Sequence, residues 1–216
     1  MVLKKYLVGL IILISTASFV NAQIHGLPVT DTADPVGKGS IHFMGNGFGN
    51  DKTTSYAGRI GYGISNRILL FTDMGIYDDE HSDNEFLAQF GARYTLPVNL
   101  PFDLAVRSSI IPYKKDFEHY IEITFGLLAS RYLDQNSNLA IYGGVGIDYQ
   151  EWELEFELDP AQAAYLGYST YIDKGDQKDA AYLLGVTRQL TDSARLFLEA
   201  AHVADFFGCA GIRFDL

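Results

Sequence analysis

Alternation of apolar and polar residues with a period of two constrains this chain more than any other feature. It recurs in ten segments, which are 39–48, 55–64, 68–77, 85–96, 102–111, 117–133, 139–150, 180–190, 195–203 and 205–216. The stretches between them are rich in Asn, Asp, Ser, Gly and Pro, which are turn-forming residues. The pattern predicts an all-β chain of about ten strands. The count falls to eight if segment 39–48 or the final hairpin at Asp205 is misassigned.

The connections between the segments alternate in character. Compact turns at 65–67, 97–101, 134–138 and 191–194 alternate with more varied connections at 49–54, 78–84, 112–116 and 151–179; the ninth link, around Ala204, is too short for the second set. Short turns at one end, longer loops at the other and an even number of strands are typical of outer-membrane barrels. A segment of 9 to 11 residues is long enough to cross a bilayer as a tilted strand. We therefore expect a closed antiparallel up-and-down transmembrane β-barrel.

The two faces of each segment differ in chemistry. In segment 117–133, Ile121, Ile123 and Phe125 share one face, whereas Glu122 and Thr124 share the other. A soluble β-sandwich or a lipocalin-like barrel would turn the apolar face inward. The opposite orientation, with the apolar face in lipid, also accounts for the small, Gly-rich polar face and for tyrosines near segment ends. The sequence therefore favours a membrane barrel over a soluble periplasmic fold.

The first 22 residues have the features of a signal peptide. Lys4 and Lys5 form a basic start, residues 6–14 are apolar, and residues 20–22 form a small-residue cleavage site. We expect export, cleavage near Ala22, a periplasmic lead-in at 23–38 and a barrel domain at 39–216. The predicted location is the outer membrane.

Charge and cysteine content exclude several classes of protein. The chain has 16 basic and 27 acidic residues, and loss of the two signal-peptide lysines leaves a net charge of −13. Nucleic-acid binding is disfavoured, because it needs clustered Lys and Arg. The single cysteine, Cys209, cannot form a disulfide within the chain. We expect no cofactor and no metal site, and we interpret the acidic run at 78–85 as a solvated loop.

The last segment alternates up to the end of the chain, with Phe206, Phe214 and Leu216 on its apolar face. It resembles the C-terminal strand by which outer-membrane barrels are recognised, although it ends in Leu216 rather than in an aromatic residue. The whole mature chain is similar to small bacterial outer-membrane β-barrel proteins, porin-like or of the eight-to-ten-strand class. The resemblance implies a monomer that contacts outer-membrane lipid or lipopolysaccharide and the outer-membrane assembly machinery.

The polar face predicts an interior lined by charges of both signs. These residues are Arg59, Asp73, Arg93, Asp103, Arg107, Glu122, Asp148, Glu199 and Arg213. In a barrel of about ten strands the interior is narrow, so oppositely charged groups are expected to pair. The same residues fit two interpretations, a salt-bridged plug that fills the barrel and a narrow pore whose charges select ions.

The long excursion at 151–179 predicts a hairpin that protrudes beyond the bilayer. Glutamates at odd positions alternate with apolar residues at even positions from 151 to 158, whereas the apolar positions before Tyr149 are odd. We interpret this change of parity as a β-bulge near Tyr149 and Gln150. The aromatic residues are candidates for ligand or partner binding. They are Trp152, Phe156, Tyr168 and Tyr171.

Together these features predict an envelope-structural or narrow-pore role with acidic extracellular loops. The alternative is a surface binding protein or adhesin that uses the 151–179 hairpin. A barrel enzyme acting on lipid or protein is the third class. His119, beside Glu118, is its best candidate base, but it lies in no recognisable motif, and we expect no enzymatic activity.

Overall fold

The computed structural model describes residues 32–49, 53–79, 82–115, 118–133, 138–157, 170–203 and 205–216. These residues form ten strands. They are β1 (Ile41–Gly49), β2 (Thr53–Gly63), β3 (Ile68–Asp79), β4 (Ser82–Thr95), β5 (Asp103–Lys115), β6 (Glu118–Tyr132), β7 (Leu139–Glu157), β8 (Thr170–Thr191), β9 (Ala194–Val203) and β10 (Asp205–Asp215). In this part of the chain, no helix is long and apolar enough to cross a membrane.

Each strand pairs antiparallel with its neighbours in sequence, and β1 pairs with β10 to close the barrel. The backbone of Ile41 exchanges two hydrogen bonds with that of Leu216, at 2.9 and 3.1 Å. The predicted ten-strand, all-antiparallel barrel is confirmed, and the alternative count of eight is wrong. Each described strand therefore has a hydrogen-bonded neighbour on both sides, as a β-protein in lipid requires.

Tight turns connect the strands at the end of the barrel that carries the C-terminal residue, Leu216. In the β2–β3 turn, the Ser65 hydroxyl accepts hydrogen bonds from the backbone N–H groups of Arg67 and Ile68. Before β1, Gly39 adopts a left-handed φ of 82° and donates its N–H to the carbonyl of Gly63 at 2.7 Å. Short turns are typical of the periplasmic end of outer-membrane barrels, so we expect this end to face the periplasm and refer to it as the periplasmic end.

Apolar side chains point outward and polar ones inward. Tyr56, Ile76 and Phe86 lie opposite one another on β2, β3 and β4, and they are 69%, 50% and 63% exposed. Arg59 and Asp73, three residues away along β2 and β3 on the opposite face, are almost fully buried. Such a continuous exposed apolar belt is not tolerated in water but fits a bilayer. The predicted orientation of the faces is therefore correct, and the soluble alternative is not.

The β-bulge predicted near Tyr149 and Gln150 is wrong. β7 pairs with β6 and with β8 in an unbroken register through both residues. Instead, the environment changes while the register continues: outward positions become acidic above the membrane, and inward positions become apolar over the barrel mouth. The recorded irregularities lie elsewhere, between Tyr77 and Asp79 and between Gln189 and Thr191.

Candidate functional site in the barrel lumen

A buried ion pair lies near the middle of the lumen. Arg59 on β2 and Asp73 on β3 are direct cross-strand partners. The Arg59 Nε and Nη2 atoms donate to the two carboxylate oxygens of Asp73 at 2.6 and 2.8 Å. Both side chains are 3% exposed. The bidentate geometry supplies the directional hydrogen bonds that a desolvated ion pair needs.

Phe71 lies between two arginines in this layer. Its ring centroid is 4.2 Å from Cζ of Arg59 and 4.8 Å from Cζ of Arg107. Both guanidinium groups therefore make cation–π contacts with one ring. Gly91 leaves room for that ring, because a Cβ atom there would lie 2.2 Å from Phe71. Sequence reasoning missed Phe71, since an apolar residue at an inward position gave no sign of its role.

The opposite wall of the lumen carries buried acids among hydroxyl and amide groups. Asp148 accepts hydrogen bonds from Thr124 Oγ1 at 2.9 Å and from Gln150 Nε2 at 2.8 Å. Glu122 accepts one from the Tyr120 hydroxyl at 2.9 Å. Polar residues that were not among the predicted site residues thus supply the hydrogen bonds that these carboxylates need away from water.

The periplasmic mouth is occupied by the chain itself. Residues 32–36, which precede β1, enter the lumen, and Thr32, Ala33, Asp34 and Val36 are all at most 7% exposed. Arg93 donates to the backbone carbonyls of Thr32 and Asp34. This stretch, the inserted segment, lies within the region expected from sequence to be a periplasmic lead-in.

The Asp34 side chain anchors the inserted segment to two strands, β6 and β9. Its carboxylate accepts hydrogen bonds from Ser130 at 2.6 Å and Tyr132 at 3.1 Å, and it pairs with Arg195 at 3.2 Å. Beside it, Ala33 packs against buried Leu128 and Ala105. Leu128 is an apolar residue on the otherwise polar inward face of β6, and this packing accounts for it.

The remaining predicted interior residues are distributed around the wall. Asp103 is partly buried near the periplasmic end of β5, and Glu199 is buried on β9. Arg213 donates to Asp215 at 2.6 Å, and Asp215 also contacts His42 across the β1–β10 closure. All nine residues point inward, but they lie at several levels rather than in one ring.

Small cavities lie between some of these side chains. Two cavities in the barrel interior have volumes of about 20 Å³ each; one adjoins Arg107 and Thr124, and the other adjoins Thr32 and Arg195. A cavity of this size holds about one water molecule. The two cavities therefore provide no path for a solute.

The aromatic candidates of the long hairpin are only partly described. Trp152 lies over Gly175, where a Cβ atom would be 2.2 Å from the indole ring. Tyr171 is 48% exposed. The backbone of Phe156 pairs with Tyr171, but its side chain and the whole of Tyr168 lie outside the described residues.

An ion pair on the outward face of this hairpin balances part of its acidity. Lys174 Nζ lies 2.7 Å from Glu153 Oε2. The hydrogen bond from Lys174 lowers the pKa of Glu153. The described residues contain no cluster of three or more His, Cys, Asp or Glu side chains suited to a metal ion.

No family model and no curated protein matches this sequence. Several solved structures are similar. The N-terminal β-barrel domain of Pseudomonas aeruginosa OprF is 14% identical, and the match covers 84% of this chain and 100% of that domain with a TM-score of 0.39. The KdgM porin is 11% identical, with coverages of 81% and 98% and a TM-score of 0.42. The outer membrane protease OmpT from Escherichia coli is 11% identical, with coverages of 83% and 94% and a TM-score of 0.45.

At these identities the likeness concerns the barrel fold and carries no argument about activity. The ten-strand closure, the outward apolar belt and the polar lumen are observations of this chain itself. On these grounds the chain is a closed ten-strand β-barrel with the outward apolar face of a membrane protein.

Proposed function

We propose that this protein is a closed outer-membrane barrel with an envelope-structural role, rather than an open pore. The observation that carries the proposal is the inserted segment, residues 32–36, held in the periplasmic mouth by Arg93, Asp34 and Arg195. The ion-paired layer of Arg59 and Asp73 adds a second obstruction above it. The narrow-pore role predicted as the alternative would require both to move.

The contacts of the inserted segment favour persistent closure. Hydrogen bonds that involve a charged group contribute about 1.5–3 kcal/mol each, and Asp34 and Arg93 make several of them. Release would also leave the buried groups of the barrel wall without these partners, which is costly. The segment is therefore expected to remain in place without an external trigger.

Conductance in planar bilayers tests this proposal. The protein with its native sequence should produce no stable conductance steps, whereas Asp34→Ala, which loses the contacts to Ser130, Tyr132 and Arg195, should produce intermittent ones. Asp192→Ala, at an exposed turn on the same end of the barrel, is the matched control and should remain silent. Stable steps from the unaltered protein, of equal size in both variants, would show that the lumen is an open pore.

A surface-binding role is the second candidate, favoured by the height of the β7–β8 hairpin. β8 pairs with β9 only from Ala181 onward, and the first residue of β6, Glu118, lies opposite Leu154 of β7. The hairpin therefore extends well beyond β9 and carries half-buried Trp152 and exposed Tyr171, residue types that are enriched at interfaces.

Replacing residues 151–179 by a short turn tests this second role. Binding of cells that display the protein to a glycan and peptide array should disappear, while the barrel keeps its heat-modifiable mobility in SDS gels. Equal binding by the truncated and the complete protein would exclude the hairpin as the binding surface.

The proposal includes no catalytic activity. His119, the candidate base from the sequence, lies on the outward face of β6, in register between Lys114 on β5 and Glu153 on β7. His119→Ala combined with assays of lipid A deacylation and proteolysis tests this part of the proposal, since loss of a measurable activity in the variant would contradict it.

A further inference from the structure

Three aromatic side chains lie next to one another on the inward face of β5, β6 and β7, at the mouth opposite the periplasmic end. Tyr113 on β5 is the cross-strand partner of Tyr120 on β6, and Tyr120 is that of Trp152 on β7. All three residues are half-buried. Neighbouring strands are about 4.8 Å apart, so these residues, the aromatic row, extend over about 10 Å of the wall.

A glycine holds the Trp152 ring against the next strand. Gly175 on β8 is the cross-strand partner of Trp152, and a Cβ atom at that position would overlap the indole ring. The ring therefore lies directly on the backbone of β8, a close approach that only glycine permits. The remaining surface of the indole is partly exposed and borders the mouth.

A packed layer of side chains lies below the aromatic row. Leu87 and Ile111, each 1% exposed, contact each other, and Tyr113 packs against them. The Tyr120 hydroxyl donates a hydrogen bond to buried Glu122 at 2.9 Å. A ligand on the aromatic row would thus rest on a closed layer at the mouth.

Acidic and amide side chains flank Trp152 on the inward face of β8. Asp173 and Gln177 lie two residues to either side of Gly175, the first exposed and the second half-buried. Gln177 Nε2 donates to Asp179 Oδ2 at 2.8 Å. Carboxylate and amide oxygens beside an aromatic ring are acceptors for hydroxyl or ammonium groups of a ligand that lies on that ring.

This part of the inward face is negatively charged. Inward positions in 148–154 of β7 and 171–179 of β8 hold three aspartates and no basic residue. Lys115 lies opposite Glu118 in the register of β5 and β6, which adds one charge of each sign. An anionic ligand is therefore disfavoured, whereas a neutral or cationic one is not.

A saccharide matches this combination of groups. The face of a sugar ring carries C–H groups that stack on an aromatic ring, and its edge carries hydroxyl groups that donate to carboxylate and amide oxygens. A purely apolar ligand would cover Asp173 and Gln177 without giving them hydrogen bonds.

We propose that the aromatic row binds an oligosaccharide without acidic groups, with one sugar ring on Trp152, the next on Tyr120, and hydroxyl or ammonium groups at Asp173. The inference rests on the surface-binding role proposed for the hairpin and assigns its ligand class. It requires no passage of the ligand through the lumen, in agreement with a closed barrel.

Trp152 is the single tryptophan of the chain, so its fluorescence reports on this site without a label. The folded full chain, in a detergent without a sugar head group, is titrated with neutral maltotriose, an amine-bearing glucosamine trimer and anionic trigalacturonate. Acrylamide quenching measures the accessibility of the ring. Heat-modifiable mobility shows separately that each sample is folded.

Two sets of variants test the named residues. Tyr120→Leu removes one ring of the aromatic row, Tyr120→Phe removes only its hydroxyl, and Tyr149→Leu, outward on β7, is the control. Asp173→Asn removes a negative charge beside Trp152, and Asp176→Asn, outward on β8, is its control.

Maltotriose and the glucosamine trimer should change the fluorescence saturably and protect Trp152 from acrylamide, whereas trigalacturonate should do neither. Tyr120→Leu should weaken both affinities about tenfold through the loss of one stacked ring, and Tyr120→Phe should retain them. Asp173→Asn should weaken binding of the glucosamine trimer about two- to fivefold and that of maltotriose less. Both controls should behave like the unaltered protein.

The absence of a sugar response in the folded protein would overturn the proposal, as would equal binding of trigalacturonate or an equal loss in Tyr149→Leu. A Trp152 ring that acrylamide cannot reach in the sugar-free protein would show that another part of the chain covers the row, and would also overturn it. Hairpin-dependent binding of peptides alone on the array would leave the surface-binding role standing and overturn only this inference.

Discussion

The two halves of strand β7 follow the same backbone register and yet have opposite chemistry. In the lower half, Ile141, Val145 and Ile147 point outward and are 43–59% exposed. In the upper half, the outward positions are Glu151, Glu153 and Glu155, while the inward ones become apolar. The side of the strand that meets lipid below meets water above. The comparison teaches that, in a membrane barrel, the surrounding medium and not the register decides which face is apolar.

The lumen of the membrane-spanning half should be the part of the molecule that tolerates substitution least. Arg59→Ala leaves the buried carboxylate of Asp73 without its partner, and we expect a loss of about 3–5 kcal/mol in the free energy of unfolding. Urea unfolding in detergent, followed by heat-modifiable mobility, measures this. The double variant Arg59→Met/Asp73→Leu should recover most of the loss, and a single variant as stable as the unaltered protein would contradict the role of the ion pair.

The second largest effect is expected from a cation on the outward face of β7, and it should differ between the two halves of the strand. Val145→Arg places a charge in the apolar belt and should destabilise the folded barrel by about 2–4 kcal/mol. Glu155→Arg places the same cation ten residues further along the same face, where water is available, and should have little effect on the stability of the barrel. The folded fraction after refolding into lipid vesicles is the measurement, and equal losses for the two variants would remove the distinction.

Two glycines offer a matched comparison of packing. A Cβ atom at Gly91 would lie 2.2 Å from the Phe71 ring in the lumen, and one at Gly175 would lie 2.2 Å from the Trp152 ring in the hairpin. Gly91→Ala should cost about 1–3 kcal/mol, because a closed core resists overpacking. Gly175→Ala should cost less and should shift the Trp152 fluorescence. A larger loss of stability from Gly175→Ala than from Gly91→Ala would show that the hairpin is packed more rigidly than the lumen.

The smallest effect is expected at the Glu153–Lys174 pair outside the membrane. The hydrogen bond from Lys174 lowers the pKa of Glu153, so it stabilises the hairpin above the ordinary pKa of a glutamate and is lost as the pH falls through the lowered value. Lys174→Ala should raise the Glu153 pKa in an NMR titration without a measurable change in global stability. Lys178→Ala, whose ammonium group lies over Tyr149, is the control. An unchanged Glu153 pKa in Lys174→Ala would contradict the pairing.

Sequence alone predicted the features that depend on local alternation. The ten strands and their apolar outward face follow from the period of two, because successive side chains of a strand point to opposite sides. The same rule misled at Tyr149, where an inversion of chemistry was interpreted as a bulge. It could not reveal the inserted segment, because the partners of Asp34 are distant in sequence. Ser130 is 96 residues away and Arg195 is 161 residues away. Contacts at that separation exist only once the barrel has closed.

Labelling of single cysteines in intact cells tests the central claim most directly. In a Cys209→Ser background, a membrane-impermeant maleimide is applied to cells that produce Val145→Cys, Ile147→Cys, Glu153→Cys or Glu155→Cys. Our account predicts rapid labelling at 153 and 155, and none at 145 and 147 until detergent removes the lipid. Labelling at 145 and 147 as fast as at 155 would show that the apolar face of β7 does not lie in the membrane.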